Sequence, residues 1–109
     1  MRIDWTPYAQ ADLVAIHEYI AQDSPLEATR MVNRLIGRVR QLRTFAHSGR
    51  VVPEAQDDAV RELIQTPYRV IYRVLPKRIE ILTVMHGARL LRWPAGGNTP
   101  IAGTGRRRR

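Results

Sequence analysis

The chain has 109 residues, 44% of them hydrophobic and none of them cysteine, which supports one core and excludes disulfides, thiolate catalysis and cysteine-held metals. No stretch approaches the roughly 18 apolar residues of a membrane span, and the N-terminal residues lack an apolar signal segment, so a cytoplasmic protein that does not enter the membrane is expected. Formal charge is +8, and Lys77 is the only lysine among the 18 cations.

Arg2 to Trp5 reads as a short strand, after which Thr6-Pro7 supplies a cap and a proline for the first helical position. Ala9, Leu13, Ile16 and Ile20 recur at spacings of four, three and four, predicting a helix to about Gln22 with Asp12 and Glu18 directed away from its apolar face. Ser24-Pro25-Leu26-Glu27 has the form of a capping box and opens a second helix. There Ala28, Met31, Leu35, Val39 and Leu42 share one arc, while Arg30, Arg34 and Arg38 form a separate stripe; the helix should end near Phe45. So short a connection makes the two helices antiparallel neighbours, with Gly37 expected where their backbones approach.

From Ser48 the period changes. His47 to Arg50 reads as a turn, Pro53 to Ala59 as an acidic loop, and Val60 to Ile64 as a short strand. Tyr68 to Val74 alternates, turns through Leu75-Pro76-Lys77-Arg78, and pairs with Ile79 to His86 so that Val74 faces Ile79, Arg73 faces Glu80 and Tyr72 faces Ile81. The same register predicts Ile71 opposite Leu82 and Arg69 opposite Val84. Tyr68, Val70, Tyr72 and Val74 would pack on the helices, leaving Arg69, Ile71, Arg73, Glu80, Leu82, Val84 and His86 on an open face. The fold class is therefore α+β: residues 1–93 form an N-terminal strand and an antiparallel helical hairpin on a three- to four-stranded antiparallel sheet. Residues 94–109, ending in Arg106 to Arg109, form a flexible basic tail.

Charge is segregated: between residues 28 and 52 stand six arginines and no acid, which suits a polyanion or an acidic protein partner. The scattered histidines, His17, His47 and His86, give no metal-ligand spacing, and no glycine-rich loop precedes a helix, so no metal or cofactor is expected. The group able to do chemistry is Arg69, Arg73, His86 and Arg89. It supplies cations for a phosphorane and an imidazole for proton transfer, part of what RNA cleavage needs.

Arg61-Glu62-Leu63, Tyr68-Arg69-Val70-Ile71-Tyr72-Arg73-Val74 and His86-Gly87-Ala88-Arg89, preceded by Trp5, Ala11-Asp12-Leu13, Tyr19-Ile20 and Gly49-Arg50, resemble the RelE/ParE superfamily of bacterial type II toxins over residues 3–91. The resemblance implies the same hairpin-on-sheet fold, neutralisation by a cognate antitoxin in a hetero-oligomer, and one of two activities. RelE-like members cut messenger RNA on the ribosome, and Arg69, His86 and Arg89 would then be catalytic. ParE-like members inhibit DNA gyrase and are not hydrolases. The ParE-like branch is the closer likeness, because Val60-Arg61-Glu62 stands where the nucleases carry lysines and Glu62 on the cleaving face would repel phosphate. Candidate residues for binding antitoxin or target are Arg30, Arg34, Arg38, Arg69, Ile71, Arg73, Leu82, Val84 and Arg89.

Overall fold

Both helices start on a hydroxyl cap followed by proline. In the computed structural model, which describes residues 1–89, 91–92 and 101–102, Thr6 Oγ1 accepts from Ala9 N at 3.1 Å and Ser24 Oγ accepts from Glu27 N at 3.1 Å. These caps satisfy amides that have no partner within the helix. They open α1 (Pro7–Ala21) and α2 (Pro25–Arg40), the latter ending in a 3-10 turn over Gln41–Arg43. Only half of the expected capping box forms, because the Glu27 carboxylate turns to Arg30 at 2.8 Å.

Strand β1 (Arg2–Trp5) precedes the helices, and β2 (Arg50–Val51), β3 (Val60–Gln65), β4 (Tyr68–Val74) and β5 (Arg78–His86) follow them. The sheet order is β1-β5-β4-β3-β2, with β1 parallel to β5 and the other pairs antiparallel. The expected three- to four-stranded antiparallel sheet is thus a five-stranded mixed one. A two-residue strand carries too short a pattern to read, and the partner of Arg2 is Arg78, far along the chain. Within the stretch expected to be a free tail, β7 (Ile101–Ala102) pairs antiparallel with β6 (Leu91–Arg92). The rest of that expectation, Arg106 to Arg109 included, lies outside the described residues. Among the described residues, no helix is long and apolar enough to cross a membrane.

The β4–β5 hairpin keeps the expected register from Val74↔Ile79 to Tyr72↔Ile81 and then slips at a bulge, so that Ile71 faces Thr83, Val70 faces Val84, Arg69 faces Met85 and Tyr68 faces His86. The bulge lies where β1 stops covering β5. Thr6 takes over there, its amide and hydroxyl both donating to the Ile81 carbonyl, at 3.2 and 2.7 Å. Asp12 completes the edge: it is 1% exposed, and its Oδ2 accepts from Thr83 Oγ1 at 2.6 Å and from Val84 N at 2.9 Å. The residue expected to point away from the apolar face instead replaces a missing strand, because an unmet strand amide inside a protein is costly.

One residue of slip exchanges the faces of everything beyond it. Val84 moves to the core beneath the helices, with Leu35, Val39, Leu42, Val70, Tyr72, Ile79 and Ile81. The other face carries a second core of Val52, Val60, Ile71, Leu82, Met85 and Leu91, with Ala55 packed on it. Ile71, Leu82 and Val84, expected on an open face, are 0%, 4% and 1% exposed. The open face does not exist, because Val52, and Ala55 from the loop read as polar, fold over it.

Gly49 accounts for β2. A Cβ there would lie 2.5 Å from the Glu62 carbonyl oxygen and 2.6 Å from the Tyr72 hydroxyl. The hydroxyl accepts from Gly49 N at 2.9 Å and donates to the Ala46 carbonyl at 3.1 Å. Burial, partly offset by the Gly49 amide and Arg61, raises the Tyr72 pKa above its ordinary value of 10.0. A raised folded-state value means that the unfolded chain ionises first, so stability present below pH 10 is lost as pH rises beyond it. Denaturant melts across that range should show the loss, and Tyr72→Phe should flatten the slope while lowering stability at neutral pH through its two missing hydrogen bonds.

Candidate functional site

Two grooves meet at Pro67, Tyr68 and His86. The wider, about 590 Å³, is bordered by Arg50, Glu54, Ile64, Arg69, His86 and Gly87. The narrower, about 400 Å³, runs between α1 and the uncovered end of β5, along Ala15, Ile16, Tyr19, Tyr68, Met85 and Arg89.

Under the wider groove lies Glu62. Period-two alternation along β3 sends it to the same side as Val60, and it is 1% exposed. A carboxylate so placed must be paired. Arg50 Nε donates to Oε2, and Arg69 Nε donates to Oε1 at 2.6 Å. Arg69 also approaches Glu54 at 3.8 Å, and its side chain is only 12% exposed. Glu62 was expected to repel phosphate from an open surface; it is instead enclosed between two guanidiniums whose charge it balances. Arg73 is similarly held, 3.3 Å from Asp57 and 3.9 Å from the Glu80 that its register predicted.

The bulge divides the expected catalytic group. Cross-strand partners share a face, so His86 stands with Tyr68 on the helix side and Arg69 with Met85 on the other. The His86 and Tyr68 rings meet edge-on at 5.7 Å, and His86 Nδ1 accepts from Ala88 N at 3.1 Å. Burial, and then the neighbouring Tyr19, raises the Tyr68 pKa above its ordinary value. Arg69 and His86 border the wider groove from opposite faces, whereas Arg89 lines the narrower one with Tyr19. They are not one cluster.

Of the other expected binding residues, Arg30 is exposed and paired with Glu27, Arg34 is exposed, and Arg38 is half-buried on α2. Ile71, Leu82 and Val84 lie within the cores. Glu54, Arg50 and Tyr19 are the additions that the structure makes. The alternation of Val60-Arg61-Glu62 already marks Glu62 as inward, but its partnership with Arg50 needed the β2–β3 pairing. Among the described residues, no three histidine or acidic side chains gather as metal ligands.

A family model described as the ParE toxin of the type II toxin–antitoxin system parDE matches residues 3–91. Toxin RelE2 of Caulobacter vibrioides is 38% identical over 90 residues, which is 82% of this chain and 98% of that protein. A chain of the chromosomal ParDE TA system from P. aeruginosa superposes with a TM-score of 0.67 at 31% identity, over 79% of this chain and 95% of its own length. The YoeB dimer from Staphylococcus aureus shares the fold, with a TM-score of 0.56 and 18% identity over 79% of this chain and 95% of that one. The match spans the hairpin and the sheet that carries both grooves, and the chain belongs to the ParE toxin family, within the RelE/ParE superfamily of type II toxins.

Proposed function

We propose that this toxin acts on DNA gyrase and blocks replication, that it is not a hydrolase, and that a cognate antitoxin holds it inactive in a cytoplasmic hetero-oligomer. The observation that carries the reading is the enclosure of Glu62. Phosphoryl chemistry needs positive charge free to meet the transition state, and Glu62 and Glu54 already engage the Arg50 and Arg69 guanidiniums. With Ile71, Leu82 and Val84 buried, the narrower groove offers an antitoxin segment an apolar surface, where Tyr19 is 70% exposed. Arg89 beside it suits an acidic residue of that segment.

A second reading, cleavage of messenger RNA on the ribosome, is favoured by one feature: Glu54, Arg69 and His86 border the same groove. They are a carboxylate, a cation and an imidazole, the types required for base, charge stabiliser and acid. The lesion separates the two. Induction without antitoxin should stop growth, with filamentation and a DNA-damage response, and the purified protein should inhibit gyrase supercoiling. Messages cut on ribosomes with supercoiling untouched would overturn the gyrase reading and make Glu54, Arg69 and His86 the reacting groups. Unchanged growth with soluble protein would leave a degenerate antitoxin-binding module.

A further inference from the structure

Gly37 is the residue of α2 that the fold does not explain. Glycine inside a helix is destabilising relative to alanine, and what it offers in exchange is room for another group to come close to the backbone. Nothing in the described structure does so: a Cβ at Gly37 would meet no atom within 4 Å. The expected close approach to α1 is absent. Gly37 sits instead on the side of α2 away from the buried Leu35 and Val39.

Its neighbours one turn away on either side, at i±3 and i±4, are Asn33, Arg34, Arg40 and Gln41, all exposed. They ring a hollow one side chain deep. Arg30, seven residues before Gly37, extends the same polar surface, which spans about 16 Å from Arg30 to Gln41 at 1.5 Å per residue. Arg34, Arg40 and Arg43 differ from the arginines that carboxylates hold, among them Arg30, which is paired with Glu27. Arg2, Arg50, Arg69, Arg73 and Arg78 each meet a carboxylate. Among the described residues, Arg34, Arg40 and Arg43 form no ion pair.

We infer that the Gly37-centred face of α2 seats the phosphate backbone of duplex DNA, with Arg34 and Arg40 as the principal contacts and Asn33 and Gln41 as hydrogen-bond donors beside them. Arginine, asparagine and glutamine are the side chains that reach phosphate oxygens, and a bare backbone at the centre lets the strand settle between them. An acidic protein is the weaker fit, because a protein interface has an apolar centre and the centre of this face is glycine ringed by polar groups. A single strand is also weaker, because such sites stack bases on aromatic rings and no aromatic residue stands between 25 and 44. The inference does not depend on gyrase being the target, and it requires no base contacts.

The test is fluorescence anisotropy of a short, labelled, mixed-sequence DNA duplex with the full chain across a salt series. Arg34→Gln with Arg40→Gln should lower the salt slope by about two units and weaken low-salt binding roughly tenfold or more. Arg2→Gln with Arg78→Gln removes the same charge from paired positions and should leave the slope nearly unchanged. Gly37→Leu fills the hollow at constant charge; it should weaken binding several-fold while raising the Tm, because leucine is the better helix former. Equal losses from the two double variants would reduce the effect to net charge and overturn the inference. Parental affinity in Gly37→Leu would overturn the hollow, and displacement of the duplex by polyglutamate or single-stranded RNA at lower charge concentration would assign the face to those partners instead.

Discussion

Glu62→Ala should be among the most damaging single substitutions in this chain, costing about 3–5 kcal/mol. The carboxylate has no contact with water, and Arg69, one of its two partners, is 12% exposed at its side chain. Removing the anion leaves a desolvated guanidinium with only Glu54, 3.8 Å away, to balance it. For a domain of this length the loss corresponds to a fall in Tm of roughly 10–20 °C. Glu62→Gln retains an acceptor for one arginine and should fall between alanine and the parent. Arg50→Ala should cost much less, because the Arg50 side chain is 68% exposed and water can replace the pair. The order alanine, glutamine, parent in thermal melts checks the argument. A Glu62→Ala protein that melts within about 2 °C of the parent would show that the buried pair contributes nothing net, an outcome known for ion pairs whose desolvation cancels their attraction.

The second large effect is expected at Asp12. Asp12→Ala removes the acceptor for the Thr83 hydroxyl and the Val84 amide at the point where β1 has ended. A buried donor left unmet costs about 1–3 kcal/mol, so the pair should cost about 2–6 kcal/mol, less whatever a water entering the gap recovers. Asp12→Asn keeps one oxygen and should retain about half. Denaturant midpoints should fall at unchanged m-value, and the Val84 amide should exchange faster than those of Val70 or Ile81, because the opening is local. Uniformly faster exchange would mean that Asp12 supports the whole sheet, and parental exchange would show that its hydrogen bonds are dispensable. Both outcomes also bear on function, since this carboxylate holds the bulge that turns His86 towards Tyr68.

What the amino-acid sequence determines by itself is whatever depends on near neighbours in the chain. Thr6-Pro7 and Ser24-Pro25 start two helices, because cap and amide are three residues apart. Tyr68, Val70 and Tyr72 face the helices, because a strand alternates. Leu75 to Arg78 brings Arg73 against Glu80, because a tight turn sets the first pairs. The family resemblance was legible on the same footing, from short runs such as Tyr68-Arg69 and His86-Gly87.

What only the tertiary structure decided depends on residues far apart in the chain. Asp12 lies off the apolar stripe of α1, and local pattern sends it to solvent; the end of β1 and the bulge in β5, some 70 residues on, bring it inside. That bulge inverts the alternation, which moves Val84 into the core beneath the helices and sets His86 apart from Arg69. Val52, just before the stretch that reads as a polar loop, and Ala55 within it close the face on which Ile71 and Leu82 were expected to stand open. Glu62 is turned inward by the alternation of its own strand, but its enclosure between two guanidiniums follows only from the Arg50 and Arg69 strands that flank it. In each case the cost of leaving a buried polar or apolar group without a partner is met by a segment with no local signal of the pairing. Side-chain period is a property of one strand, but the partner that satisfies it is a property of the fold.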